Sequence, residues 1–277
     1  MLKTRILTAL VLLAVLLPVL YSNNFTAFAV VVTAFFGAAI WETFRLFNPK
    51  SGKAVVVALF WTAAFAWTFF FSNNGAAQTF WFAISILIWL LRFVPSLKIG
   101  LPALDSSANT LLSLTYAVAL VGCFAAIVAL FSYSPLYLLS VMAIVWAADI
   151  FAYFSGKAFG KRKLAPSISP GKSWEGAIGG GIAVLVIATL TIVFAGDVLA
   201  DTFPVRVQAS LGWAATYAIL ILIVAASIVG DLFESQLKRR AGMKDSSNLL
   251  PGHGGVLDRI DALVPVLPLA ALIGAWL

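Results

Sequence analysis

In the segment GDLFESQLKRR, Asp231, Glu234, Ser235 and Lys238 are spaced three and four apart, so a helix there carries two acids, a hydroxyl and a base along one stripe. Further on, VLDRID sets Asp258 and Asp261 three apart, again on one helical face. Two carboxylates from one such segment and at least one from the other could hold a hard divalent cation, with substrate phosphate completing its oxygen shell. Zinc is a poor match, because the chain has one cysteine and one histidine, far apart in sequence. Between the two acidic segments, KDSSNLLPGHGG has the Gly, Pro, Ser and Asn content of a loop. Its His253 is open to three roles: proton carrier, phosphate donor or plain loop residue.

A second polar stretch, ADIFAYFSGKAFGKRKLAPSISPGKSWEG, runs from Ala148 to Gly176. Lys161, Arg162 and Lys163 read as topogenic charge attracted to anionic headgroups. Lys172 reads differently: Ser169, Lys172 and Ser173 surround a Pro-Gly turn directly before an apolar helix, the arrangement of an anion site at a helix N-terminus. The match to a Walker A loop fails, because Pro166 stands where the first glycine is required and no strand is expected before the turn. Glu175 either complements the helix dipole or takes part in the site. Gly176, Gly179, Gly180 and Gly181 read as close helix packing.

The elements that must position these residues are membrane helices. The chain is 62% hydrophobic and 10% charged, with mean hydropathy +1.03, against about 25% charged residues in a soluble domain. Apolar windows near 5–22, 25–42, 54–72, 78–96, 110–131, 134–154, 174–196 and 208–231 are each about long enough to cross hydrocarbon. A shorter ninth, 262–277, carries Pro265 and Pro268. The expectation is an all-α, polytopic integral membrane protein with about nine transmembrane helices. The first window lacks an A-x-A-like cleavage site and is read as a span, not a signal peptide. Its helices divide into an N-terminal set, 1–131, and a catalytic region, 132–277, within one membrane domain. Seventeen of the eighteen Lys and Arg fall on one side of this topology, which the positive-inside rule makes cytoplasmic. The N-terminus and the loops 155–173 and 232–261 are then cytoplasmic. Cys123, alone in an apolar run, excludes internal disulfides and reads as a buried hydrophobe.

The stretch SQLKRRAGMKDSSNLLPGHGGVLDRID closely resembles the signature of the phosphatidate cytidylyltransferases, also called CDP-diacylglycerol synthases. Ser235, Lys238, Arg239, Lys244, Asp245, Pro251, His253, Gly254, Gly255, Asp258, Arg259 and Asp261 stand at the family's spacing. DIFAYFSGKAFGK, SPGKSWEG and GDLFES are also similar to the family, so the resemblance covers roughly the C-terminal half. It implies conversion of CTP and phosphatidic acid to CDP-diacylglycerol and pyrophosphate, with Mg²⁺ required and a second, monovalent cation left open. It further implies that Asp231 and Asp258 are the metal-centre carboxylates. Lys238, Arg239, Lys244, Asp245, His253, Arg259 and Asp261 join them in catalysis. Lys172, Ser173, Ser169, Ser235, Lys157, Tyr153 and Glu234 are the expected substrate contacts. The partners are CTP, phosphatidic acid and membrane lipid, not nucleic acid, with a homodimer left open. The place is a bacterial-type inner membrane, the site facing the cytoplasm. A CTP-dependent lipid kinase and, more distantly, a lipid or anion transporter are the rival readings.

Overall fold

A computed structural model describes residues 2–22, 24–49, 52–71, 76–194 and 196–277; of the bases counted above, Lys50 lies outside them. A helix occupies each of the nine apolar windows. They are α1 (Leu2–Tyr21), α2 (Phe25–Phe47), α3 (Ala54–Ala66), α4 (Ala76–Ile88) with α5 (Val94–Ile99), α6 (Ser107–Tyr133), α7 (Pro135–Phe159), α8 (Trp174–Phe194), α9 (Phe203–Arg240) and α11 (Leu263–Gly274), with the short α10 (Leu257–Ile260) before the last. Among the described residues, six helices are long and apolar enough to cross a membrane: Phe25–Phe47, Gln78–Ile99, Ser107–Tyr133, Pro135–Phe159, Trp174–Phe194 and Phe203–Arg240. Leu10–Tyr21, Ala54–Phe70 and Leu263–Gly274 are apolar but shorter. The protein is thus an all-α, polytopic membrane protein.

Helix α6 forms the centre, packed against α2, α4, α7 and α11. Its small residues permit this: Ala117, Ala119, Cys123, Ala125 and Ala126 are fully buried, and a Cβ on Gly122 would press into the Trp81 carbonyl at 2.8 Å. Close backbone approach replaces hydrophobic burial as the cohesive force where lipid is the solvent. Cys123 is buried, as expected. Side chains such as Val30, Phe60, Leu91, Ile182 and Phe194 point outward, as they must where lipid is the surrounding medium.

One feature departs from the expected pattern. The Lys172 segment is not a simple turn: β1 (Lys163–Ala165) pairs antiparallel with β2 (Ser169–Ser173), the chain reversing at 166–168. Pro166 lacks an amide hydrogen and falls at the reversal, where none is needed. SPGKS is therefore itself a strand that runs directly into α8, and a strand does precede it. Helix α9 continues to Arg240, as the stripe read from GDLFESQLKRR requires, so the 232–261 segment begins as helix. At its other end, Gly212 has φ 76°, a left-handed conformation that glycine tolerates, and the helix kinks there.

Candidate active site

The C-terminal end of α9 is held from behind by aromatic rings. Phe233 is fully buried, with its ring 4.5 Å from Phe93, 5.2 Å from Tyr116 and 5.6 Å from Trp89. These contacts fix the rotation of α9, and with it the direction of Asp231 and Glu234. On the α11 side, a Cβ on Gly230 would collide with the Asp261 carbonyl and sit 2.9 Å from Pro265 Cδ. Only glycine lets α9 approach the start of α11 so closely, and Asp231 follows it directly. Pro265 occupies the first turn of α11, where its missing N–H leaves no intrahelical bond unmade.

The stripe read from the sequence is present. Ser235 Oγ donates to Asp231 Oδ1 at 3.2 Å, and Lys238 is ion-paired with Glu234 one turn earlier. Lys238 Nζ also donates to Asp258 Oδ1 at 2.6 Å, which joins α9 to α10. The Glu234 and Asp258 side chains are only 0% and 3% exposed, so charge pairing is a condition of their burial. Oδ2 of Asp258 accepts from the amides of Gly255 (2.7 Å) and Ser246 (2.8 Å) and from Ser246 Oγ (2.9 Å). Burial pushes the Asp258 carboxyl up, but Lys238 and these amides outweigh it and hold it below the usual carboxylate range. For Asp261, burial and then the nearby Asp231 charge push the carboxyl up to about 7.

From the other side, the β-hairpin delivers Lys172, whose Nζ lies 2.5 Å from Asp231 Oδ2. Ser173 Oγ accepts from the Gly176 amide at 3.2 Å and so caps α8. Glu175 also has a structural partner: its Oε2 accepts from the amides of Lys161 (3.0 Å) and Arg162 (3.1 Å), which ties the hairpin base to α8. Of the glycines, Gly176 and Gly180 face α7, where a Cβ would meet the Ala152 and Ala148 carbonyls, and Gly179 faces Ser155. Gly181 faces open space, so the packing assigned to it from sequence is corrected.

Asp231, Glu234, Ser235, Lys238, Asp258, Asp261 and Lys172 are thus brought together. The other predicted residues make no side-chain hydrogen bond or ion pair to these seven among the described residues. Lys157, Arg239, Lys244, Asp245 and Arg259 are exposed. Ser169 lies in β2, paired with Ala165. Tyr153 is exposed and packs edge-on with Phe154. The His253 amide donates to the Leu250 carbonyl, whereas its Nδ1 finds no hydrogen-bond partner among the described residues.

Sequence reasoning missed Glu42, Ser246, Ser247 and Asp149 as members of the site. Glu42, near the C-terminal end of α2, is fully buried and bonded to Ser246 and Ser247. Asp149 of α7 is within electrostatic reach of Lys172 and Asp231. The available signal was an acid near the end of an apolar span, which is expensive without a partner. A groove of about 710 Å³ between α2 and α3 is apolar and, among the described residues, meets the signature loop at Leu249.

Four carboxylates, Asp231, Glu234, Asp258 and Asp261, meet two ammonium groups, Lys172 and Lys238. A cluster with surplus hard oxygen donors, each ammonium seated where a cation is attractive, fits a divalent ion. Among the described residues no group of three or more His, Cys, Asp or Glu side chains is placed to hold a metal ion by itself. Magnesium needs no such cage, since it keeps waters and takes substrate phosphate alongside one or two carboxylates.

A bundle of membrane helices with a carboxylate–lysine cluster at one end defines a class of membrane protein equipped to handle polyanions. The sequence profile of the cytidylyltransferase family matches residues 3–277, and the chain belongs to that family. A phosphatidate cytidylyltransferase of Haemophilus influenzae is 37% identical over 97% of this chain and 96% of its own length. One of Pseudomonas aeruginosa is 39% identical over 99% and 98%, and one of Bacillus subtilis 31% identical over 96% and 95%.

Proposed function

We propose that this cluster is the active site of a phosphatidate cytidylyltransferase, a nucleotidyltransferase that converts CTP and phosphatidic acid to CDP-diacylglycerol and pyrophosphate. The observation that carries the assignment to these residues is the pair of ion bridges, Lys172 to Asp231 and Lys238 to Asp258, made between separate segments at one end of the bundle.

A phosphate oxygen of phosphatidate attacks the α-phosphorus of CTP. The new P–O bond forms as the bond to the β-phosphate oxygen breaks, and pyrophosphate leaves with the electron pair. The second pKa of such a phosphomonoester is about 6, so the nucleophile is largely anionic at neutral pH and needs no strong base. The protein's task is to bring two polyanions into line and offset their charge. Asp231 and Asp258 would hold Mg²⁺, which when bound supplies positive charge at the reacting phosphates. Lys172, partly exposed on the hairpin, exchanges Asp231 for a substrate phosphate. Lys238, held between Glu234 and Asp258, keeps those carboxylates oriented. Lys157, Arg239, Lys244 and Arg259, exposed outside the cluster, raise the local concentration of anions.

The same reading makes nine spans of the nine helical windows and places the site at the cytoplasmic face of a bacterial inner membrane, N-terminus inside. Water-borne CTP then reaches the site while the diacyl chains of phosphatidate stay in lipid. Purified protein given CTP, phosphatidate and Mg²⁺ is expected to yield CDP-diacylglycerol and pyrophosphate in equal amounts. Release of CDP and formation of a lipid phosphate when diacylglycerol is supplied with CTP, with no pyrophosphate made from phosphatidate, would identify γ-phosphoryl transfer to a lipid alcohol and overturn the proposal.

A further inference from the structure

We propose that Glu42 is a positioning residue for this reaction: from the N-terminal half of the chain it latches the loop 245–257 in the conformation that presents Asp258. The inference rests on the catalytic reading above for its functional meaning, but not for its geometry.

Both oxygens of Glu42 are spent on that one loop. Oε1 accepts from Ser247 Oγ at 2.5 Å and the Val256 amide at 3.0 Å. Oε2 accepts from the Leu257 amide at 2.6 Å and Ser246 Oγ at 3.1 Å. The Val256 and Leu257 amides stand at the start of α10, where no preceding turn supplies an acceptor. Glu42 supplies it from another helix, and the backbone it fixes leads directly into Asp258. Ser246 connects the two acids a second time, since its hydroxyl is within hydrogen-bonding distance of both Glu42 Oε2 and Asp258 Oδ2. Gly255 makes the approach feasible: a Cβ there would collide with Ser246 Oγ and with Glu42 itself.

A carboxylate is well suited to this task because it is acceptor-only on both oxygens, whereas an amide turns one end into a donor. In the variant Glu42→Gln, whichever way the side-chain amide settled, its NH₂ would confront one backbone amide and one serine. Burying a fully enclosed acid near a membrane boundary is costly, and the four bonds that offset the cost all serve to order one loop. Groups that orient a metal ligand from behind typically affect metal affinity or activity by about 10–100-fold.

The test compares wild type, Glu42→Gln, Glu42→Asp and Ser247→Ala as full-length protein in detergent. Hydrogen exchange is measured without metal and substrate, and turnover is measured across a Mg²⁺ titration. In E42Q we expect faster exchange confined to residues 243–257, with α6 and α11 as protected as in wild type. Turnover should fall about 10–100-fold with a raised Mg²⁺ requirement, and E42Q should add little further loss to Asp258→Asn. E42D, which keeps the charge but loses reach, should fall between. Exchange and turnover within twofold of wild type would overturn the proposal. So would faster exchange spread equally over α6 and α11, the mark of a general packing role. Should E42Q and E42D not fold, Ser247→Ala decides alone: locally faster exchange with a severalfold raised Mg²⁺ requirement supports the latch, and wild-type behaviour refutes it. A wild-type protein that makes no CDP-diacylglycerol would refute the catalytic reading, while the exchange data would still judge the latch.

Discussion

At the scale of the residue, the acids divide by what meets them. Asp231 and Asp258 each face an ammonium that arrives from a different segment, Lys172 from the hairpin and Lys238 from α9. Replacing either aspartate by Asn keeps its size and one oxygen but removes the charge that attracts a hard cation. Loss of a strong electrostatic stabiliser costs about 10²–10³ in rate, so each single variant is expected to lose at least about a hundredfold in turnover. If both serve one ion, the double variant is scarcely worse than either single one. Multiplicative losses in steady-state assays would assign them separate roles. Lys172→Ala is expected to weaken transition-state binding by about 1.5–3 kcal/mol, the range for hydrogen bonds to charged groups. Unchanged kcat/KM for both substrates would reduce Lys172 to a headgroup anchor. The stripe of Asp231, Glu234, Ser235 and Lys238 was legible in the sequence because helical period is a local property. Glu42 was not, because its partners lie more than two hundred residues away and no spacing rule connects them.

The elements show the same limit in another form. Apolar windows located the helices because each had to be long and hydrocarbon-rich, a requirement visible residue by residue. The hairpin of β1 and β2 was not visible. Its strands are three and five residues long, too short for an alternating pattern, and Glu175 holds their base through the Lys161 and Arg162 amides. Rotation of a helix is equally hidden when apolar residues surround it, as in α8. Gly180 and Gly181 are adjacent and indistinguishable by composition, yet a Cβ at 180 would enter the Ala148 carbonyl while one at 181 meets nothing within 4 Å. Gly180→Ala must therefore push α8 from α7, at about 1–3 kcal/mol for overpacking. Gly181→Ala gains helix propensity, about 0.5–1 kcal/mol. Thermal unfolding in detergent should place the first below wild type and the second at or above it. Equal shifts would mean that α8 is rotated from the position described.

On the scale of the whole molecule, the two ends of the bundle differ chemically, and that difference predicts an orientation. At one end converge Glu42 with Ser246, Lys172 with Asp231, and Arg240 Nη1 with the Pro102 carbonyl at 2.9 Å; Asn109 Nδ2 adds a bond to the Phe47 carbonyl at 2.9 Å. At the other end the Phe203 amide donates to Ser140 Oγ, and Arg206 lies over Tyr133 beside its partner Asp201. Arg206 is the one base that the sequence count assigns to that side. By the positive-inside rule, a segregation this strong predicts that the basic end faces the cytoplasm, where CTP is found. Cysteine labelling checks it. Ser167 and Asn248 are exposed at the basic end, and Asp197 is exposed between α8 and α9. Ser247 is unsuitable despite its neighbour, because it is buried against Glu42. The native Cys123 is enclosed, which keeps the background low. Impermeant maleimide added to intact cells is expected to label Asp197→Cys and spare Ser167→Cys and Asn248→Cys, with the pattern reversed in inverted vesicles. Labelling of Ser167→Cys or Asn248→Cys from outside would place the carboxylate cluster on the far side of the membrane from CTP. The charge cluster would then need a different substrate, and the proposed reaction at this site would fail with it.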